Sequence, residues 1–347
     1  MVRESGLRGY LLEEALAWLM RHSGYELLVA AEQDPDELVS HGGDLRVRGR
    51  GTSHQVDVLG EFAFTPAFSL PVRLFLEAKF YRTKCKLQVV RNAHGTLADV
   101  NQNFVARPGS RPRRRFQYCY ALFSANGFSA EAEAYALAHQ ISLIDLSIPG
   151  FAWLLKVVAD GARRLHAAAT LHGVTTFPVG VMRSRLRLLL GTASTPPPLQ
   201  PEVQPPQFAQ DFDASIDGFV ARLQQHADAE LLLGFPPAPF VLPLAIEHRD
   251  TFISYALAHP SHSVLLKPAR SMSAEWEARP TGEPDRYRLT FSLPRGIETW
   301  IMENEDRRRG RVRSVKNNFL STITVYYEYD SDLRVCHLRY QPGELAR

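Results

Sequence analysis

An acidic and a basic side chain interrupt an apolar segment, FLEAKFY, at residues 75–81. Successive side chains of a β-strand point to opposite faces, so Glu77 and Lys79 are expected to share one face. Leu76 and Ala78 then lie on the other face, which is apolar enough to belong to a core. Taken alone, the pattern is also typical of a solvated ion pair on an edge strand.

A second carboxylate occurs one segment earlier, in HQVDVLGEF. Alternation along a strand places Val56 and Val58 on one face and Asp57 on the other. If this segment pairs with the FLEAKFY segment as a β-hairpin, Asp57 converges with Glu77 and Lys79 at the end of the sheet.

Such a constellation suits a divalent cation. Two carboxylates about 5 Å apart repel by ~3 kcal/mol at an effective dielectric constant of about 20. Mg²⁺ offsets that repulsion and binds through one or two carboxylates, water and substrate phosphate oxygens. The metal can polarise a phosphoryl oxygen and help to deprotonate the attacking water. A nearby ammonium can orient that water or stabilise the charge of the transition state. The residue types therefore suit a site in which carboxylates hold Mg²⁺ and a lysine serves the nucleophile.

Apolar spacing predicts the elements that must position these residues. The expected order is a helix at 7–22, strands at 26–30, 54–64 and 70–81, a helical segment at 86–106, a strand at 116–125, a helix capped by Ser129, a strand at 141–146 and a helix at 151–173. The polar stretch 32–53 is expected to be a loop. This order predicts an α/β fold with a mixed central sheet flanked by helices.

The chain of 347 residues is long enough for two domains. TPPPLQPEVQPPQ, at residues 195–207, holds six prolines and is typical of a semi-rigid linker. We therefore predict a first domain at 1–175, a Pro-rich linker region at 176–210 and a second, α+β domain at 211–347. In the second domain, a hairpin is expected to turn near Asp330.

Composition restricts the class of protein. Net charge is only +3, and three cysteines lie far apart without a CxxC pair. That spacing argues against a structural zinc site and a disulfide framework, and fits a reducing cytoplasm. No secretory signal or membrane-spanning run is recognisable. The sequence predicts a cytoplasmic, soluble protein without membrane association.

Local clustering of basic residues favours a polyanionic partner. Between Lys79 and Arg115 there are ten Lys or Arg residues and one acid, Asp99. Clustered arginines in loops suit contacts to phosphates without base reading. The expected nucleic-acid contacts are Arg48, Arg50, Arg111, Arg113, Arg114 and Arg115. A solvated loop would have the same composition.

The ordered set of motifs resembles the catalytic domain of Mrr-type restriction endonucleases, in the PD-(D/E)xK nuclease superfamily. It comprises GYLLE around Glu13, then Asp57, then the Glu77-Ala78-Lys79 strand and ALFSANGFSAEAEAYALAHQISLID at 121–145. The resemblance covers about residues 7–147. Where that family often has Gly-Gly-x-Asp before the metal aspartate, Val56 precedes Asp57 here, and Gly42-Gly43-Asp44 occurs earlier in the chain.

The resemblance implies a restriction-endonuclease-like fold and a role for each matching residue. Asp57 and Glu77 would be metal ligands, and the Ala78 carbonyl could add a contact. Lys79 would be the catalytic lysine and Glu13 an accessory acid. Asp57 is preferred over Asp44 because it adjoins the strand that carries Lys79.

These residues and the resemblance lead us to expect a Mg²⁺- or Mn²⁺-dependent DNA endonuclease. Restriction of foreign DNA, or defence against it, is the setting that the resemblance alone implies. Two alternatives stay open. One is a nucleic-acid-binding or sensor protein that keeps the nuclease fold without catalysis, and the other is a repair or junction-cleaving nuclease. The second domain could recognise a target, a trigger or a partner protein, or form a homodimer.

Overall fold

The computed structural model describes residues 2–21, 23–41, 44–65, 69–104, 114–193, 206–226, 230–238, 240–269, 275–294, 297–299 and 319–340. Its helices are α1 (Glu4–Leu19), α2 (Leu87–Asn101), α3 (Ala130–Ala138), α4 (Ala152–Leu171), α5 (Val179–Leu190), α6 (Pro206–Gln224) and α7 (Arg249–Ala258). The strands of the first half are β1 (Tyr25–Leu28), β2 (Leu38–His41), β3 (Asp44–Arg48), β4 (Ser53–Gln55), β5 (Val58–Phe62), β6 (Val72–Lys79), β7 (Gln117–Ser124) and β8 (Ile141–Asp145). Those of the second half are β9 (Glu230–Phe235), β10 (Leu242–Ile246), β11 (Ser261–Pro268), β12 (Glu275–Pro280), β13 (Leu289–Ser292), β14 (Thr322–Tyr329) and β15 (Asp332–Tyr340).

A mixed five-stranded sheet in the order β1-β5-β6-β7-β8 forms the centre of the first half. Strands β1, β5 and β6 pair antiparallel, whereas β6, β7 and β8 pair parallel. Helices α2 and α3 make the two crossovers between the parallel strands, as parallel pairing requires. The expected α/β class with a mixed central sheet is confirmed.

Helices cover both faces of this sheet, because strand β6 has apolar side chains on both of its faces. Leu74, Leu76 and Ala78 belong to one buried cluster, which also contains α1, α4, α5 and α6 side chains. Phe75 belongs to a second cluster, formed with α2 and α3. The expected alternation along FLEAKFY is therefore confirmed, and it places Glu77 and Lys79 on the side of the second cluster.

The stretch 32–53 is not a loop, and the prediction for it was wrong. Strands β2, β3 and β4 form a small antiparallel sheet within it. Leu38 and Val47 are paired across β2 and β3 and are fully buried. The other positions of these strands are largely polar, so the apolar signal in the sequence is too sparse to indicate strands.

The segment 54–64 is not one strand, and the expected facing of its valines was wrong. It is divided into β4 and β5 by a bend at Val56 and Asp57. Val56 packs into the cluster of α2 and α3, whereas Val58 packs into the cluster of α1. The chain passes from the small sheet to the five-stranded sheet at this point. The Val56 amide still bonds to the Leu45 carbonyl of the small sheet at 3.1 Å. The alternation of side chains between two faces therefore does not continue from β4 into β5.

The second half contains a closed seven-stranded barrel in the order β10-β13-β12-β11-β15-β14-β9. Strand β9 closes it by pairing with both β10 and β14. The hairpin β14–β15 turns at Asp330 and Ser331, which have positive φ angles of 52° and 62°. This turn was predicted from the sequence, and Asp tolerates that conformation better than most residues.

Helix α6 packs with the first half. Phe208, Phe212 and Phe219 of α6 belong to the same buried cluster as α1 and α4. Gly161 of α4 lies at this crossing, where an added Cβ would come within 2.7 Å of the Phe219 ring. Helix α5 lies inside the predicted linker region 176–210. Most of the Pro-rich stretch 195–207 lies outside the described residues, and the division into domains stays a prediction.

Among the residues with assigned positions, no helix combines the length and apolar character needed to cross a membrane.

Candidate functional site

Glu77 and Lys79 lie at the carboxyl end of strand β6, in the middle of the five-stranded sheet. Their side chains form an ion pair and are 23% and 22% exposed. The hydroxyl of Tyr120, on the neighbouring strand β7, donates a hydrogen bond to Glu77 Oε2 at 2.5 Å. Because β6 is flanked on both sides, this pair is not the solvated edge pair that the segment alone would allow.

Asp57 reaches the same strand end from the bend before β5. Its Oδ2 accepts a hydrogen bond from the Ala78 amide at 2.9 Å. Ala78 lies between Glu77 and Lys79, and the register Val58↔Leu76 sets Asp57 opposite Glu77. The structure therefore brings together the three residues that the sequence analysis predicted to converge.

Helix α1 contributes Glu13 and Glu14, whose side chains are both buried. Arg183 of α5 spans them, with Nη2 at 2.9 Å from Glu13 Oε2 and Nε at 2.8 Å from Glu14 Oε1. Arg187 Nε adds a contact to Glu14 Oε2 at 3.0 Å. Glu13 Oε2 nevertheless accepts no hydrogen bond with acceptable geometry from the described residues. This oxygen is thus buried, close to a positive charge and incompletely satisfied.

Burial raises the pKa of Glu13 from 4.5 to about 8; the neighbouring Asp57 adds to the increase and Arg183 opposes it. Burial also raises the pKa of Asp57, although the Ala78 hydrogen bond and Lys79 act in the opposite direction. For Lys79, burial lowers the pKa but the Glu77 carboxylate outweighs it, and the net pKa lies above its usual value. The site therefore holds an ammonium beside carboxyl groups that retain protons more strongly than usual.

A small polar cavity of about 20 Å³ lies behind Asp57. Asp44, Glu14, Arg183 and Arg187 are among its lining residues. This volume is sufficient for about one water molecule, and the lining offers several polar partners. Asp44, the alternative aspartate of the sequence analysis, therefore lies on the same cavity as Asp57, while only Asp57 bonds to the β6 backbone.

Four of the predicted nucleic-acid contacts, Arg48, Arg50, Arg114 and Arg115, lie within the described residues. They are located at the other end of the sheet, around the last turn of α2. The Arg48 carbonyl accepts a hydrogen bond from Asn103, and the Arg50 amide bonds to the Asp99 carbonyl. Nearby, Arg114 pairs with Glu61 and Arg115 lies over the Phe104 ring. Strand β7 starts beside these residues, and its Tyr118 pairs with Arg73, four positions before Glu77. At about 3.3 Å per residue, this patch begins roughly 13 Å from Glu77 along the strand. Arg111 and Arg113 lie outside the described residues.

Several residues near the site were not singled out from the sequence. Arg82, Lys84 and Lys86 are exposed in the segment that directly follows Lys79. They were counted within the basic stretch, and their position after the Glu-x-Lys motif could have identified them. Tyr120 and Arg183 carry no comparable signal, because only the pairing of β6 with β7 and the packing of α5 on α1 bring them to the site.

Within the described ranges, no three His, Cys, Asp or Glu side chains are arranged to hold a metal ion. A site with two carboxylates, in which water and phosphate oxygens complete the shell, needs fewer protein ligands than that.

Comparisons with known proteins assign no family. No protein-family model matches the chain, and no curated protein matches it. Among solved structures, the chain is similar to one described as "Crystal Structure of Protein of Unknown Function AF1548", with 14% sequence identity and a TM-score of 0.31. The match covers 61% of this chain and 98% of that one.

Proposed function

We propose that the chain is a metal-dependent DNA endonuclease that hydrolyses phosphodiester bonds at Asp57, Glu77 and Lys79, with Glu13 as an accessory acid. The observation that carries the proposal is the hydrogen bond from the Ala78 amide to the Asp57 carboxylate, 2.9 Å long. This hydrogen bond places Asp57 beside Glu77 and Lys79 at the carboxyl end of strand β6. Restriction of foreign DNA is the setting that the resemblance to Mrr-type enzymes implies.

The topology supports a restriction-endonuclease-like fold for the first half. A helix precedes an antiparallel pair, β5 and β6, whose second strand carries Glu77 and Lys79. Two helices and two parallel strands follow. This is the order in which the resembling motifs occur along the chain.

The donor set fits a hard divalent cation. Asp57 and Glu77 offer carboxylate oxygens, and Mg²⁺ or Mn²⁺ prefers such ligands together with water and phosphate. The ion would polarise the scissile phosphoryl group and activate water. Asp57 Oδ2 is engaged by the Ala78 amide, while its Oδ1 accepts no hydrogen bond from the described part of the chain. Burial is the main cause of the raised pKa of Asp57 and the Glu77 carboxylate adds to it, and a cation bound here would offset both.

Lys79 would act as a charged group rather than a base. Its pKa lies above the usual value, because the Glu77 carboxylate outweighs the effect of burial. An ammonium held in this position can orient the attacking water or stabilise negative charge on the phosphoryl oxygens. Tyr120 donates to Glu77 Oε2 while Lys79 contacts Oε1, so both partners restrain the carboxylate that would also hold a cation.

Two basic regions would position the DNA backbone. Arg82, Lys84 and Lys86 lie next to the site, and the patch around the end of α2 lies roughly 13 Å or more away along the strand. Each base pair advances a duplex by about 3.4 Å per strand, so the two regions could contact phosphates several base pairs apart.

The test is the Lys79→Ala variant. We expect it to lose plasmid nicking in Mg²⁺ or Mn²⁺ while DNA binding in Ca²⁺ is retained. The free energy of unfolding should change by no more than about 1 kcal/mol, as expected for a partly exposed ion pair. Lys267→Ala is the matched control, because Lys267 is also a strand lysine paired with a glutamate, at 3.0 Å from Glu277 in the barrel. Full cleavage by Lys79→Ala, or no cleavage of any DNA by the unmodified protein, would contradict the proposal.

A further inference from the structure

A cavity of about 330 Å³ lies between the five-stranded sheet and the barrel. Leu74, Ala121 and Phe123 line it from the sheet, and Leu233 and Phe235 line it from the barrel. No charged residue is among the described residues around it. The volume falls within the range of small-molecule sites in proteins.

The exposure of Cys119 supports an empty space between the sheet and the barrel. It lies in strand β7, between β6 and β8, yet its side chain is exposed. The surrounding protein nevertheless raises the pKa of its thiol, as burial does. A side chain that is enclosed by protein and still has free surface lines a void. The other two cysteines, Cys85 and Cys336, are 1% and 0% exposed.

Aromatic rings form one side of the cavity. The Phe62 ring lies 4.9 Å from Tyr25 and 4.8 Å from Tyr326 between ring centroids, and Phe235 lies 5.7 Å from Tyr326. Such spacings allow stacked and edge-to-face contacts, which a further aromatic ring could extend. The lining is mainly apolar, and its hydroxyl groups come from Tyr25, Ser142, Thr324 and Tyr326.

The volume and the lining together define the class of occupant. An apolar cavity of about 150 Å³ holds one benzene molecule, so 330 Å³ would hold roughly 13 non-hydrogen atoms. A sphere of this volume is roughly 9 Å across, which is narrower than an α-helix with its side chains at about 10–12 Å. The absence of charge among the described lining residues disfavours an ionic ligand, because burying an unpaired charge is costly.

We propose that this cavity binds an uncharged, mainly aromatic small molecule of that size with one or two hydroxyl or carbonyl groups. Its sheet wall is the reverse side of the strand that carries Glu77 and Lys79, since Leu74 lies in β6 and Phe123 pairs with Ala78. The binding site is independent of the endonuclease proposal and is tested without a cleavage assay.

The experiment uses the full chain and 4-phenylphenol, an uncharged probe with 13 non-hydrogen atoms. Alkylation by N-ethylmaleimide, followed by mass spectrometry, is expected to modify Cys119 well before Cys85 and Cys336. A saturating concentration of the probe should slow alkylation of Cys119 at least tenfold. It should also raise the Tm, because a ligand that binds only the folded state stabilises it.

Two variants fill the cavity from opposite walls. Val241→Trp acts from the barrel side, and Cys119→Phe acts from the sheet side and is followed by Tm alone. Both should abolish the response to the probe, whereas Leu171→Trp, at a side chain 76% exposed at the end of α4, should keep it. No protection and no Tm rise in the unmodified protein would overturn the proposal. An unchanged response in either filled variant that folds would do the same, because the probe would then bind elsewhere.

Discussion

Replacement of Glu13 by glutamine tests the electrostatics of the candidate site without DNA or metal. Glu13 is 7% exposed, and burial together with Asp57 raises its pKa from 4.5 to about 8. Glutamine has the same shape but cannot ionise. The variant therefore removes the cost of forming a buried carboxylate while leaving the packing of α1 in place.

The magnitude follows from the difference between the two pKa values. A change from 4.5 to about 8, at 1.36 kcal/mol per tenfold change in proton affinity, corresponds to about 5 kcal/mol. Between these values the folded chain binds the proton more tightly than the unfolded chain. Folding stability contributed by protonated Glu13 is therefore fully present below pH 4.5 and is lost as the pH rises through about 8. Glu13→Gln should escape this loss.

Urea unfolding from pH 5 to pH 9 in the presence of EDTA measures the effect. We expect the variant to match the unmodified protein within about 1 kcal/mol at pH 5 and to exceed it by up to about 5 kcal/mol at pH 9. Glu4→Gln, on the same helix but 32% exposed, should leave the pH dependence unchanged. Parallel stability curves for Glu13→Gln and the unmodified protein would refute the reasoning.

Two further predictions concern DNA contacts and the stability of the sheet. Lys84→Ala combined with Lys86→Ala should weaken DNA binding and lower the magnitude of the slope of log K against log salt by about 2. The reason is that each exposed lysine would release about one counterion on binding DNA. An unchanged slope would exclude both lysines as phosphate contacts. Arg73→Met should cost about 3–5 kcal/mol in urea unfolding, since Arg73 is 2% exposed and its loss leaves Asp34 and Glu61 without their buried partner. A loss below about 1 kcal/mol would show that these acids find other partners.

Strand β6 could be predicted in detail because it is buried on both faces. Its apolar residues alternate between two clusters, so Phe75 and Leu76 take opposite sides and Glu77 and Lys79 follow the same rule. The β14–β15 turn was predictable for a different reason. Its Asp330 and Ser331 adopt left-handed backbone angles that short polar residues favour in hairpins.

Helix α1 shows what the sequence could not establish. An apolar stripe predicts that one face is buried, whereas Glu13 and Glu14 are buried as well. Their burial depends on Arg183 and Arg187 of α5, and Arg183 lies 169 positions from Glu14 in the chain. Local periodicity carries no information about a partner that distant. Glu13 was therefore a candidate through the resemblance, whereas Glu14, the salt bridges of both acids and the raised pKa of Glu13 could not be predicted.

The bend at Val56 and Asp57 was missed because nothing in HQVDVLGEF, such as proline, marks an end of the strand. Yet the bend is what gives Asp57 its position. A residue within the antiparallel ladder would offer its backbone carbonyl to β6, whereas Asp57 offers its side chain to the Ala78 amide. One carboxylate oxygen thereby completes the pairing of the central strand. The other accepts no hydrogen bond from the described residues, and the register of β5 and β6 sets Asp57 opposite Glu77. A structural role in the sheet and a ligand role toward a cation are thus compatible in the same side chain, because they use different oxygens.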